Sequence, residues 1–264
     1  MSSISANWKE DNNYNKTTGT FDIGAVARKR GILPTVLTSK YTQVCYGNEK
    51  SADADQVEVD TQSINHAWCK STECEVLYEE YVRETFIKNL SIFSFIKPCS
   101  DTLVYRIFAN KLRDDELSVL YACNTEPPWC KSCPKCAYVW LSFMAYLKHE
   151  HFDDLQKAFG SENLFNRPEL QIYYRQLMGL EAHNAFECVG EFDEVKLAFE
   201  KCVERGFTGE AIDCYLREAR LSRSEYQTLW EKYNQLDLSY QRLPKQLIKI
   251  LIQESKDLKQ SGGK

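Results

Sequence analysis

The sequence predicts an α/β fold: a partial parallel sheet of about three strands flanked by helices, with a four-cysteine zinc knot and a helical C-terminal subdomain. Short apolar runs bounded by Gly or Pro alternate with helical periodicities over the first half of the chain. The stretch CNTEPPWCKSCPKC then gathers Cys123, Cys130, Cys133 and Cys136. From Asp193 onward the apolar spacing is helical with few breaks.

Taken in order, TQVCY reads as a short buried strand that ends in the polar loop GNEKSA. A Gly-containing loop at the C-terminal end of a strand is where open α/β sheets place ligands. CEVLYEEYVRETFIKN carries Val76, Leu77, Tyr81, Phe86 and Ile87 at helical spacing. SIFSFIKP is a second strand stopped by Pro98, and Ser100–Asp101 opens a helix with Leu103, Val104, Ile107 and Phe108 on one stripe. LSVLYACN is the third strand and delivers Cys123 to the knot. Helices follow in AYVWLSFMAYLKHEH, FDDLQKAFG and RPELQIYYRQLMG, the last with Pro168 near its first turn and Gly179 at its end. DEVKLAFEKCVERG, TGEAIDCYLREAR, SRSEYQTLWEKYNQL and LPKQLIKILIQESKDLK complete the helical part. The expected organisation is a disordered polar tail at 1–20, a partial α/β domain with the knot at 21–192, and a helical region at 193–264.

Composition narrows the function classes. A chain of 264 residues can bury a sizeable core. Its net charge of −5, with no Lys/Arg stripe beside the cysteines, speaks against nucleic-acid binding. No apolar run approaches the ~18–20 residues that span a bilayer. The start, MSSISANWKEDNNYNK, has no apolar signal segment. The expected setting is therefore the cytoplasm, where the other cysteines (Cys45, Cys69, Cys74, Cys99, Cys188, Cys202, Cys214) stay reduced.

The cysteine spacing is the most specific signal. CxxCxxC with a fourth Cys just upstream folds into knuckles that present thiolates to one point, and zinc favours four such soft ligands. An all-Cys site leaves no open position, so the zinc is structural. Buried or disulfide-bonded cysteines are the alternative reading.

Three further segments carry candidate chemistry. GNEKSA offers Glu49, Lys50 and Ser51 for a phosphate or polar substrate, against the plainer reading of a solvated turn. INHAWCKS sets His66 and Lys70 four apart, on one face if helical, where His66 can exchange protons and Lys70 can neutralise a phosphate. A hydrogen-bonded packing histidine beside Trp68 is the alternative. FECVGEFDE places Glu187 and Cys188 in a loop ahead of Asp193 and Glu194, either as cleft-facing proton-transfer groups or as the ordinary acidic start of a helix. His149 and His151 read as an exposed helix cap, with no metal role.

In order along the chain, GNEKSA, NHAWCKS, FSFIKPCSDTLVYRIFA, CNTEPPWCKSCPKCAYVWL and FECVGE together resemble the bacterial ATP-dependent UDP-N-acetylmuramoyl-L-alanyl-L-glutamate epimerases. That family has SNERSA-like, VNHQYSKS-like, FSLLRP-like, WCGxCPKC and KPFECVGE-like segments in the same order. The knot is also similar to that of the 7-cyano-7-deazaguanine synthases. The resemblance implies a Rossmann-like, ATP pyrophosphatase-type sheet. It also implies an activity, conversion of the terminal L-glutamate of a peptidoglycan precursor to D-glutamate through an acyl-adenylate. It carries over Glu49, Lys50, Ser51, Asn65, Lys70 and Ser71 as nucleotide- or substrate-site residues, and His66, Glu187 and Cys188 as candidates near the reacting centre. ATP and Mg2+ are implied cofactors beside structural Zn2+, and the implied partner is a UDP-muramoyl-dipeptide-like substrate.

The chain departs from the pattern at Gly47, at Trp68 and Cys69, at Cys99, and at Asn184–Ala185 where Lys-Pro is usual. No SGGxDS-type phosphate loop precedes Gly47, and the terminal SGGK lacks the Asp-Ser continuation. The expectation is a C-terminal half of the enzyme, completed by an N-terminal-half partner chain or self-association. The alternative is a non-catalytic, zinc-stabilised interaction module on the same scaffold.

Overall fold

The computed structural model describes residues 41–54, 57–59, 62–65, 67–113, 116–123, 125–126, 128–182 and 189–261, together with strands at 14–15 and 20–21. The fold is α/β and mostly helical, with a small parallel two-stranded sheet. Strands β1 (Tyr14–Asn15) and β2 (Thr20–Phe21) form one antiparallel pair. Apart from these strands, the expected disordered tail lies outside the described residues. The parallel sheet pairs β3 (Gln43–Tyr46) with β6 (Ser91–Ser94), and β4 (Val57–Val59) pairs antiparallel with β5 (Gln62–Ile64).

The chain divides into two compact units, one of residues 1–46 and 68–93, the other of residues 47–67 and 94–264. In the first, helix α1 (Thr72–Thr85) starts where the Ser71 hydroxyl accepts the Cys74 N–H at 3.1 Å. Tyr78 and Val82 lie one turn apart on its buried face and pack with Leu90 and Ile92. The Glu79 carboxylate accepts the Ile92 N–H at 2.7 Å, tying the helix to β6.

The second unit is built around one apolar helix. Its helices are α2 (Asp101–Lys111), α3 (Glu116–Val119), α4 (Pro134–Tyr146), α5 (Phe152–Phe159), α6 (Pro168–Leu177), α7 (Phe192–Glu204), α8 (Glu210–Glu218), α9 (Arg223–Tyr233) and α10 (Lys245–Ser261). Helix α4 is apolar around most of its circumference, from Ala137 and Val139 to Leu141 and Phe143, so it can be satisfied only at the centre. Helices α2, α6 and α7 pack against it. Phe165, Tyr174, Phe199 and Tyr215 form an aromatic chain in the same core, with Phe199 and Tyr215 stacked at 5.2 Å. Burying such rings contributes roughly 1.5–3 kcal/mol each. Gly160, Gly179 and Gly206 follow helix ends with positive φ, the expected terminators.

Three local expectations are corrected. LSVLYACN is not a strand: it forms the single turn α3 and then runs irregularly to Cys123. Arg113 grips Glu116 through its guanidinium at 2.6 Å and its backbone N–H at 2.9 Å, which starts a helical turn, and no described strand lies beside it to pair with. The helical condition set for His66 and Lys70 is not met among the described residues of INHAWCKS: Ile64 ends β5 and Trp68–Lys70 form a 3-10 turn. His151 is buried rather than an exposed cap. Arg205 caps α4 instead, donating to the carbonyls of Ala145 at 2.8 Å and Leu147 at 2.5 Å.

Candidate functional site

The four cysteine sulfurs, Cys123, Cys130, Cys133 and Cys136, lie within 4.8 Å of one another. The pairs Cys123–Cys133 and Cys130–Cys136 are each 3.8 Å apart. A disulfide would need about 2.05 Å. Four thiolates about 2.3 Å from a tetrahedral zinc sit about 3.8 Å from each other, so the donor set fits such an ion.

Local backbone makes the knot. Lys131 takes a φ of 60°, which turns the chain after Cys130 so that its own N–H reaches the Cys136 sulfur at 3.4 Å. The N–H groups of Thr125, Glu126 and Cys130 converge on the Cys123 sulfur at 3.3–3.4 Å. Cys133 is the N-cap of α4, its sulfur accepting the Cys136 N–H at 3.4 Å, with Pro134 in the first turn. These donors favour sulfur as thiolate. Cys133 is held down to about 4, first by the Cys136 thiol and, against the effect of burial, by the Cys136 N–H. Burial acts to raise Cys123, yet its three N–H donors lower it overall. Cys136 is pushed up, first by its hydrogen bond to Cys133. Trp129 stacks on Phe159 at 4.5 Å, so the knot is continuous with the core.

A second cluster forms where α2 begins. Ser100 caps that helix, its hydroxyl accepting the Leu103 N–H at 3.1 Å and donating to the Tyr233 carbonyl at 2.5 Å. The Glu194 carboxylate, from the first turn of α7, accepts the Thr102 N–H at 2.7 Å with one oxygen, and its other oxygen is buried without a partner. Asp101 accepts the Tyr138 hydroxyl at 2.6 Å. Gly190 lies against that hydroxyl: a Cβ there would stand 2.2 Å from it. Tyr233 donates to Glu191 at 2.7 Å. Burial, then the charge of Glu49, pushes Asp101 up to about 6, opposed by the Tyr138 hydroxyl and Lys135. Burial, then Asp101, pushes Glu194 up to about 8. Glu194 therefore keeps its proton near neutral pH, while Asp101 titrates just below it, which suits proton transfer.

The GNEKSA loop belongs to the same unit and gathers four of the residues singled out from the sequence. The Ser51 hydroxyl donates to Glu49 at 3.0 Å, and the Lys50 N–H donates to the Cys99 carbonyl at 2.9 Å. The Lys50 ammonium pairs with Asp237 at 2.7 Å and holds that carboxyl down to about 2. Asn65 clamps the loop, donating to the Ala52 carbonyl and accepting the Ala67 N–H, both at 2.8 Å. Lys70 ends the 3-10 turn and Ser71 caps α1, both in the first unit. His66, Glu187 and Cys188 lie outside the described residues. Asp101 and Glu194 escaped sequence reasoning, since one reads as the first residue of a helix and the other as its acidic first turn.

An α/β chain with a four-thiol cluster that fits a metal ion and a buried carboxylate pair of raised pKa is the class these features define. Family models for the MurL N-terminal domain and the MurL C-terminal domain match residues 25–95 and 119–226. The chain belongs to the MurL family. It is similar to proteins named UDP-N-acetyl-alpha-D-muramoyl-L-alanyl-L-glutamate epimerase from three bacteria. The Micromonospora protein is 28% identical over 203 residues, 70% of this chain and 44% of the relative. The Salinispora tropica protein is 30% identical over 196 residues, 67% and 42% respectively. The Xanthomonas oryzae protein is 30% identical over 183 residues, 66% and 39%. The chain thus spans less than half the length of the curated relatives it matches. No solved structure matches it. Among the described residues no helix is long and apolar enough to cross a membrane.

Proposed function

We propose that the chain takes part in ATP-dependent epimerisation of the terminal glutamate of a UDP-muramoyl dipeptide in the cytoplasm, and that Cys123, Cys130, Cys133 and Cys136 hold a structural zinc. The observation that carries this reading is the convergence of separate family motifs on one place. Glu49 from GNEKSA, Asp101 from the segment after FSFIKP, and Glu191 and Glu194 at and beyond the end of FECVGE act on one another electrostatically.

In this reading ATP, with Mg2+, supplies activation of the substrate carboxylate as an adenylate, which acidifies the neighbouring Cα–H. The chain's own groups do the rest. Glu49, Lys50, Ser51 and Asn65 shape the loop that receives the polar ligand, and Lys70 and Ser71 stay ligand-site candidates through the family resemblance alone. Glu194 holds a proton that can return to the substrate carbon, and Asp101, titrating at about 6, can exchange one beside it. Glu187, Cys188 and His66 remain the candidates for removing the original one. The α/β part, 21–192, carries most of these groups, and the helical region, 193–264, supplies Glu194, Tyr233 and Asp237. Residues 25–95 already match the MurL N-terminal domain, and an added N-terminal-half partner chain or self-association completes the site.

One observation favours the other reading, a non-catalytic zinc-stabilised module: the Lys50 ammonium and the Asn65 amide are already spent on internal partners. Incubation with the UDP-muramoyl dipeptide and ATP in deuterated water separates the two. Incorporation of deuterium at the glutamate Cα, reduced by Asp101→Asn, supports the epimerase. With the 264-residue chain alone and with an added N-terminal domain of a relative, no incorporation and no ATP–pyrophosphate exchange would leave the module.

A further inference from the structure

A cavity of about 520 Å³ opens in the second unit, walled by α2, α4, α7, α9 and α10. Its charged lining is Arg106, Lys148, Lys201 and Lys259, with no carboxylate among the lining residues. That is against the balance of a chain with 38 acidic and 33 basic side chains. None of its lining residues belongs to the knot or to the carboxylate cluster.

Arg106 is the central group. It is half-buried, and among the described residues no carboxylate pairs with it, although burial works against its charge. Its guanidinium sits 4.8 Å from the Trp230 ring centre, and the Lys201 ammonium sits 4.5 Å from the same ring. Trp230 is also stacked with Tyr226 at 6.1 Å. The indole therefore holds two cations in place rather than offering a face for a base. Lys201 has a Glu204 partner at 2.6 Å and Lys148 a distant one in Glu150 at 3.9 Å, so the lining is only partly neutralised from within the chain. A half-buried guanidinium without an acid, ringed by ammonium groups in a concave cavity, is an arrangement for a multivalent anion.

We infer that this cavity binds a small phosphate-bearing anion, with Arg106 as its principal contact and Lys148, Lys201 and Lys259 around it. The inference does not rest on the epimerase reading, because a chain with no epimerase activity would still bind.

Calorimetric titration of the 264-residue chain with inorganic pyrophosphate tests it. One equivalent should bind, and Arg106→Gln should weaken binding about tenfold or more, the loss of a charge-assisted contact. Lys88→Gln, an exposed lysine of the first unit outside this lining, should leave that binding unchanged. If Arg106→Gln fails to fold by circular dichroism, the exposed pair Lys148→Gln and Lys259→Gln carries the test, with weaker binding and a shallower salt dependence expected. Absence of binding, affinity unchanged in the folded cavity variants, or an equal loss of binding with Lys88→Gln would overturn the assignment.

Discussion

The cysteine knot and the carboxylate cluster occupy the same unit and handle charge in opposite ways. At the knot, five backbone N–H groups point at sulfur, so the protein stabilises thiolates in advance of any cation. Around Asp101, acidic groups are buried beside one another, and both Asp101 and Glu194 hold their protons to higher pH than ordinary carboxyls do. One arrangement suits an ion, which would complete it and leave it inert. The other is poised to release or take up a proton near neutral pH, which is what a catalytic acid or base requires. Helix α4 links them, because Cys136 and Tyr138 lie two residues apart on its first turns and Tyr138 is the hydrogen-bond donor to Asp101. The knot thus fixes the start of the helix that orients one acid.

The largest effect should come from breaking the knot. Cys136→Ser, or removal of metal with a chelator, should unfold the chain or lower its melting temperature severely, since structural zinc binding is worth roughly 10 kcal/mol in small domains. The native chain should carry one zinc per molecule by elemental analysis. A native chain without zinc, whose Cys136→Ser variant melts like wild type, would show that the thiols are only core residues.

A smaller loss should follow Gly190→Ala. The added methyl would meet the Tyr138 hydroxyl at 2.2 Å, so the loop or the ring must move and the Tyr138–Asp101 bond must lengthen. The expected cost is about 1–3 kcal/mol, read from denaturant unfolding. Zinc content should stay at one, which separates the cluster from the knot. A neutral outcome would mean that the two motifs are not in firm contact.

These two regions were not equally legible from residues alone. The knot lies within fourteen consecutive residues, and its ligand spacing reflects a local turn, so Cys123, Cys130, Cys133 and Cys136 could be named together. Most helices were legible for the same reason: α5, α6 and α7 each have a local apolar period and a following glycine. The carboxylate cluster draws on residues 49, 101, 138, 190, 191 and 194, and its chemistry arises from burial and from contact between distant segments. Asp101 and Glu194 each look like favourable first-turn acids, and nothing local reveals that both lose their solvent. LSVLYACN misled because an apolar run needs a neighbouring strand to pair with, and that depends on the rest of the fold. His151 misled because Arg205, 54 positions later, took the capping role.

The pH dependence of stability sharpens the contrast further. Glu194 is raised from 4.5 to about 8, so its protonated form is favoured by folding. The stability it contributes is complete below pH 4.5 and is lost as pH rises through 8. Glu194→Gln keeps an oxygen for the Thr102 N–H and has no charge to bury. Its melting temperature should therefore rise relative to wild type as pH increases across that window, by at most about 1.4 kcal/mol of stability for each pH unit. Asp101, raised to about 6, acts in the same direction. Parallel melting curves between pH 5 and 9 (the span set by these shifts, about four units wide) would show that Glu194 is ionised in the folded chain and would remove it as a proton store.

The smallest effect should be at the loop that faces ligands in our reading. The Lys50–Asp237 pair is short, yet the lysine side chain is half exposed, at 50%. Exposed pairs contribute about 0–1 kcal/mol, so Lys50→Ala should barely change melting. Asp237 is held down to about 2 by Lys50 first and then by Ser239, so any stability from the pair is present above the ordinary aspartate value of 3.8 and lost as pH falls towards 2. The loop keeps its shape by other means, through Asn65 on Ala52 and the Lys50 N–H on Cys99, and neither needs the ammonium. A lysine that costs little when removed is free to exchange Asp237 for an anionic ligand. Weakened ATP binding by Lys50→Ala at unchanged stability would mark it as a ligand contact, whereas a large drop in stability would make it a structural strut like the cysteines.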